Sequence, residues 1–79
     1  MAIYISIEKV SETAEIAEFR FSSDGKRFGR LSLDKHSGES VLLEPEPNDE
    51  TEFAFRRAAR KIFLHWREGR LPDKTCWAA

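Results

Sequence analysis

Apolar and polar side chains alternate with period two along the first 45 residues, which is the pattern of half-buried β-strands. Four such segments predict strands at about residues 2–10, 14–22, 26–34 and 39–45. The apolar residues all occupy odd-numbered positions, so the pattern predicts that they share one face of a sheet. This predicted core face comprises Ile3, Ile5, Ile7, Ala17, Phe19, Phe21, Leu31, Leu33, Val41 and Leu43.

The connections between strands two, three and four have similar chemistry. "SDG" at 23–25 and "HSG" at 36–38 each end in a glycine, which a three-residue hairpin loop favours at its left-handed position. Loops of this length fix the register of the two hairpins. The opposed pairs that follow are Ser22–Lys26, Phe19–Gly29, Ala17–Leu31, Leu33–Val41, Glu18–Arg30 and Arg30–Glu44.

A long helix is predicted from about residue 50 to residue 68. Asp49 stands at the expected N-cap, Glu52 follows three residues later as in a capping box, and Gly69 ends the helix. Six apolar residues fall within a sector of about 140°, which predicts that the helix packs across the core face of the sheet. They are Phe55, Ala58, Ala59, Ile62, Phe63 and Trp66. In the tail, 70–79, a short turn is predicted from Pro72.

Together these elements predict an α+β fold, a four-stranded antiparallel β-meander followed by one long C-terminal helix packed on one face (ββββα). We expect residues 1–79 to form a single domain, because a chain of this length buries only about 60% of its unfolded surface and cannot divide that between two cores. The order of elements resembles that of several small single-strand-binding modules, in topology alone.

The charge distribution differs between the predicted elements, although the net charge of the chain is only -1. Residues 1–49 carry six basic and ten acidic side chains, whereas residues 50–70 carry six basic and three acidic ones. One cysteine excludes an internal disulfide, and we expect a cytoplasmic protein without a secretory leader or a membrane-spanning segment. The helix is therefore the basic element of an otherwise acidic chain.

No spacing of residues predicts catalytic, metal or cofactor chemistry. His36 lies in a loop and His65 on the helix, and neither has clustered ligands nearby in the sequence. Cys76 near the C-terminus is poorly placed to act as a nucleophile with His65. We therefore expect no metal, no cofactor and no enzymatic activity.

The helix carries an apolar pair outside its predicted core sector. Phe53 and Leu64 are expected on the opposite side, beside Arg56, Arg57 and Arg60. Aromatic and arginine side chains are enriched at protein interfaces, so this set, the helix-back surface, predicts contact with a protein partner or a second copy. The alternatives are that the C-terminal tail covers Leu64, or that both residues are simply exposed.

The second candidate surface lies on the other face of the sheet. Tyr4, Arg20 and Phe28 are expected to be neighbours there, with Lys26 and Arg27 in the adjacent loop. Aromatic side chains on an open sheet can stack single-stranded bases. This set, the sheet platform, supports the alternative function of a single-stranded nucleic-acid-binding module. The leading hypothesis is a small non-catalytic binding or adaptor module that contacts proteins.

Overall fold

The computed structural model describes residues 3–78. Within this range, five strands form one antiparallel sheet in the order β4-β3-β2-β1-β5, and one helix, α1, packs on one of its faces. The predicted α+β fold with four meander strands and one helix is thus confirmed, with a fifth strand added at the end. The elements are β1 (Tyr4–Glu12), β2 (Ile16–Ser22), β3 (Gly29–Asp34), β4 (Ser40–Glu44), α1 (Phe53–Arg67) and β5 (Lys74–Ala78).

Strand β5 replaces the turn that was predicted from Pro72. It pairs antiparallel with β1 from Tyr4 opposite Ala78 to Glu8 opposite Lys74. The backbone N–H of Lys9 also donates to Asp73 O at 2.8 Å. The turn prediction failed because a five-residue strand carries little periodic signal, whereas the unpaired edge of β1 offers it a row of backbone donors and acceptors. Residues 74–78 therefore lie against β1 as the edge strand of the sheet.

The core lies between the sheet and α1. Seven of the predicted sheet residues are buried there, and α1 adds three residues at i, i+4 and i+8: Ala54, Ala58 and Ile62. Small side chains at two of these positions allow the helix to approach the strands closely. Burying a large apolar side chain contributes about 2 kcal/mol, so Phe19, Phe21 and Ile62 are major contributors to stability. The buried apolar residues are Ile5, Ile7, Ala17, Phe19, Phe21, Leu31, Leu33, Ala54, Ala58 and Ile62.

Strand β4 lies where it was predicted, but its side chains face the opposite way. Val41 and Leu43 are 58% and 49% exposed, and Leu42 packs against the core instead. An irregularity between Arg30 and Leu31 shifts the pairing, so that Leu31 lies opposite Leu42 while the predicted pair Arg30–Glu44 is retained. The extra residue of a bulge reverses the alternation that sequence patterns assume. Leu33 consequently faces Ser40 rather than Val41.

The register between β2 and β3 differs from the prediction by two residues. The connection spans 23–28 instead of three residues, because the Asp24 carboxylate accepts the backbone N–H groups of Lys26 and Arg27 at 2.8 and 2.9 Å. A shift of two residues leaves every side chain on its predicted face. The predicted left-handed glycines are confirmed, with φ of 76° at Gly25 and 81° at Gly38. The observed pairs include Phe21–Gly29, Phe19–Leu31, Ala17–Leu33 and Glu18–Ser32.

Helix α1 begins at Phe53, three residues later than predicted. Asp49 lies three residues before the N-cap position but still caps the helix, because its two carboxylate oxygens accept hydrogen bonds from the N–H groups of Ala54 and Phe55 at 2.9 and 3.0 Å. The predicted capping box does not form: Glu52 adopts a left-handed φ of 58° and its side chain makes no cap hydrogen bond. The predicted end of the helix near Gly69, with φ of 82°, is confirmed. The helix covers one face of the sheet. Residues 3–78 contain no helix that is long and apolar enough to cross a membrane.

Candidate protein-contact surface

Most of the helix-back surface lies on the solvent side of α1. Arg56, Arg57 and Arg60 are exposed, and Leu64 among them is 39% exposed. An apolar side chain within a group of cations is an arrangement that interface residues often show. The C-terminal tail pairs with β1 as β5, and Leu64 remains partly open to solvent.

Phe53 is half-buried, unlike the exposed members of this surface. Its ring packs against the core and meets the ring of Trp77 edge-on, with centroids 5.9 Å apart. The Arg57 guanidinium lies over both rings, 5.0 Å from the Phe53 centroid and 5.1 Å from that of Trp77. The sequence pattern did not indicate this shielding, because it depends on the unpredicted strand β5. Leu64 is therefore the apolar centre of the helix-back surface.

The cations of α1 have no acidic partners within the part of the chain described. No carboxylate among residues 3–78 lies within 4 Å of the side-chain nitrogens of five basic residues. Arg56 donates only to the backbone oxygen of Thr51, at 3.1 Å. Unneutralised charge on one side of a small protein produces a field that attracts anionic surfaces. The five residues are Arg56, Arg57, Arg60, Lys61 and Arg67.

A groove runs along one flank of α1, where the helix meets the β3–β4 turn and the start of β4. Its volume is about 460 Å³. The row Phe55, Ala59 and Phe63 is only half-buried there, although all three were predicted to face the core. The buried row of α1 is instead centred on Ala58, so this second row lies at the edge of the sheet. The α1–β4 groove is lined by Gly38, Ser40, Phe55, Arg56, Ala59, Arg60 and Phe63.

Each aromatic side chain of this groove packs against another aromatic ring. Phe55 packs on the buried ring of Phe21, with centroids 6.3 Å apart, and Phe63 packs on Trp66 at 5.8 Å. Two guanidinium groups, those of Arg60 and Arg67, lie 6.0 and 5.9 Å from the Phe63 centroid. At exposed sites such cation–π contacts contribute about 0.5 to 1 kcal/mol each, so they favour positions of the arginines beside the ring. The groove is thus a preformed apolar strip beside unpaired arginines.

The sheet platform is assembled in part. The Arg20 guanidinium lies over the Phe28 ring, 4.5 Å from its centroid, and Tyr4 is 57% exposed. All three line one pocket of about 260 Å³. Lys26 and Arg27 lie outside that pocket, and Arg27 donates to the Asn48 side chain at 3.2 Å. The aromatic part of the platform is present, and its two loop cations do not line the pocket with it.

The arginines of this sheet face are neutralised by neighbouring carboxylates. Arg20 Nε donates to Glu8 at 2.7 Å, and Arg30 Nε donates to Glu18 at 2.8 Å. Lys74 Nζ also approaches Glu8, at 3.5 Å. The hydrogen bond from Arg20 lowers the pKa of Glu8, so this carboxylate stays ionised and paired to a lower pH than an isolated glutamate would. The field over the sheet face is correspondingly weaker than that over α1.

His65 and Cys76 are not brought together. The His65 ring lies 3.3 Å from the Thr75 hydroxyl, on the helix side of β5, whereas Cys76 faces the opposite side, opposite Ser6. There Cys76 raises the pKa of the Tyr4 phenol. Among residues 3–78, no cluster of three or more His, Cys, Asp or Glu side chains has the arrangement of a metal site.

Comparison with known proteins gives no match: no family model, no curated protein and no solved structure is significantly similar to this chain.

Proposed function

We propose that this protein is a small, non-catalytic cytoplasmic binding or adaptor module that contacts an acidic surface of a partner protein through α1. The observation that carries the proposal is the contrast between the two sides of the molecule. The cations Arg56, Arg57, Arg60, Lys61 and Arg67 have no acidic partner among residues 3–78, whereas both sheet-face arginines are paired.

The pairing contrast favours α1 for an energetic reason. A partner that approaches the sheet face must compete with carboxylates already bound to Arg20 and Arg30. A partner that approaches α1 meets guanidinium groups that hold no carboxylate of residues 3–78, so no ion pair has to be displaced. Electrostatic complementarity speeds encounter and selects acidic partners. Leu64 adds a partly exposed apolar contact in the middle of this charge.

The same charge argues against a symmetric dimer through this surface. A two-fold interface brings the same surface of both subunits together, so the five cations of α1 in one copy would face the five cations of α1 in the other. A second copy is thus the less favourable occupant. Light scattering at low and moderate salt tests this point, and we expect a monomer.

Leu64→Glu tests the proposal directly, with Leu43→Glu as its matched control. Both leucines are partly exposed, at 39% and 49%, but Leu43 lies on the edge strand β4. We expect immobilised protein to lose its protein partners with Leu64→Glu and to retain them with Leu43→Glu. Equal recovery of the same partners by both variants would argue against the helix-back surface.

The stack of Arg20 on Phe28 beside Tyr4 supports the second candidate, a single-stranded nucleic-acid-binding module. Stacking on such rings stabilises binding by about 1 to 3 kcal/mol per base. Fluorescence anisotropy with labelled DNA and RNA single strands separates the two candidates. We expect no binding at low salt; binding that is abolished by Phe28→Ala would favour the sheet platform over α1.

A further inference from the structure

We propose that the α1–β4 groove receives an amphipathic α-helix of the partner protein, with its apolar side in the groove and its acidic residues against Arg56 and Arg60. This inference rests on the proposed function and adds to the contact surface a row of α1 residues that lies outside the helix-back surface. It concerns the row Phe55, Ala59 and Phe63, which is half-buried beside unpaired cations.

The spacing of this row matches the geometry of helix packing. Phe55, Ala59 and Phe63 follow each other at intervals of four residues, so they form one ridge about 12 Å long on α1. The small side chain in the middle leaves a depression between two rings. A large apolar side chain of a second helix fits such a depression as a knob fits a hole. The spacing of four residues along the ridge matches the ridges and grooves by which two helices pack.

The charges beside the row define the polar side of that helix. Arg56 and Arg60 are exposed, lie one turn apart and have no carboxylate partner among residues 3–78. Acidic side chains spaced four apart on the partner would face them one to one. A partner helix with apolar residues at i and i+4 and glutamate or aspartate beside them satisfies both the row and the arginines.

Other occupants satisfy only one of these features. A nucleic-acid backbone would neutralise the arginines but would leave the apolar row against phosphates. A second copy offers only α1 as a helix within residues 3–78, and the exposed side of α1 is basic. The groove and its charges together therefore favour an acidic amphipathic helix of a different protein.

An NMR titration of the full chain tests this assignment. The probe is an alanine-based helical peptide of about 15 residues with leucines at i, i+4 and i+8 and glutamates beside them. We expect the amide signals of Phe55, Ala59 and Phe63 to shift, and the same peptide with lysine in place of glutamate to leave them unchanged. A DNA duplex that shifts these signals while the acidic peptide does not would overturn the inference.

Two double variants and one single variant test which residues of α1 bind the peptide. Arg56→Gln/Arg60→Gln should weaken peptide binding about tenfold, whereas Arg57→Gln/Lys61→Gln, with the same loss of charge on the other flank, should weaken it less than about threefold. Ala59→Gln fills the groove without changing the charge and should also abolish the shifts.

The outcomes separate this inference from the proposed function. Peptide-induced shifts confined to Arg57 and Leu64 would reject the groove and leave α1 as the contact surface. The absence of any shift along α1 would reject the groove as well, while the capture experiment with Leu64→Glu would still decide the proposed function independently.

Discussion

The indole of Trp66 packs directly on Gly38, so that a β-carbon at position 38 would lie 2.5 Å from Trp66 Cζ3. The indole N–H also donates to Lys35 O at 2.8 Å. The end of α1 is thereby fixed to the β3–β4 turn, and this contact sets the position of the α1–β4 groove relative to the sheet.

Gly38→Ala should destabilise the protein more than Gly25→Ala. Both glycines have a left-handed φ, 81° and 76°, but a β-carbon at Gly25 meets no atom within 4 Å. The backbone strain alone costs about 1 kcal/mol, and the collision with Trp66 adds about 1 to 3 kcal/mol. Urea unfolding followed by circular dichroism measures both losses. Equal losses for the two variants would contradict the Trp66 contact.

The start of α1 provides a second pair of variants. Asp49→Ala should lower the free energy of unfolding by about 1 kcal/mol, because the N–H groups of Ala54 and Phe55 lose their acceptor. Glu52→Gly should raise it by about 0.5 kcal/mol, because glycine adopts the left-handed φ of 58° without strain. Thermal and urea unfolding check both signs, with the exposed Glu50→Ala as control. A loss of stability in Glu52→Gly would contradict the left-handed conformation of Glu52.

The bulge of β4 predicts a difference between neighbouring leucines. Leu42 packs against the core and Leu43 is 49% exposed, so Leu42→Ala should cost about 2 kcal/mol and Leu43→Ala less than about 0.5 kcal/mol. Urea midpoints of the two variants measure this difference. The odd-position pattern of the sequence predicts the reverse order, and finding that order would show that β4 has no bulge.

Stability should fall in acid partly through Glu12. Hydrogen bonds from the ammonium groups of Lys35 and Lys9, both at 2.6 Å, lower the pKa of Glu12 to about 2, against about 4.3 in an unfolded chain. Because the folded pKa is the lower one, these ion pairs stabilise the fold above about pH 4.3, and their contribution is lost as the pH falls toward 2.

The test of this pH dependence is Glu12→Gln, compared with the wild type by urea unfolding at several pH values between neutral and about 3. The variant should lose less stability over this interval, because it has no ion pairs there to lose. The exposed Glu50→Gln is the control and should follow the wild type. A Glu12→Gln curve parallel to that of the wild type would mean that the Lys35 and Lys9 contacts do not form in solution.

Period-two alternation was enough to predict most of the sheet core, because residues such as Phe19 and Leu31 stay on their face even when the register moves by two. It failed at Leu42, where one extra residue reverses the alternation, and no local signal marks a bulge. Strand β5 was not predicted because it forms by pairing with the edge of β1, which is distant in sequence. The shielding of Phe53 by Trp77 depends on that strand and was missed for the same reason.

The candidate surfaces were predictable to a similar extent. The cations of α1 and the exposed Leu64 follow from helical periodicity. The sequence placed Phe28 opposite Arg20 within a strand, whereas Arg20 pairs with Arg30 and the Phe28 ring reaches Arg20 from the connection before β3. The α1–β4 groove does not follow from either, because it depends on which of two adjacent apolar rows of α1 faces the sheet. Both rows have helical spacing, and only packing against the strands selects the row centred on Ala58.

The most direct test of the account compares two charge-matched variants in quantitative affinity capture from cell lysate. Arg57→Gln/Arg60→Gln removes two unpaired cations from α1, and Arg20→Gln/Arg30→Gln removes two paired cations from the sheet face. We predict that an acidic protein is captured by the wild type and by the sheet variant and is lost with the helix variant. Retention by the helix variant together with loss from the sheet variant would contradict the proposal that α1 is the contact surface.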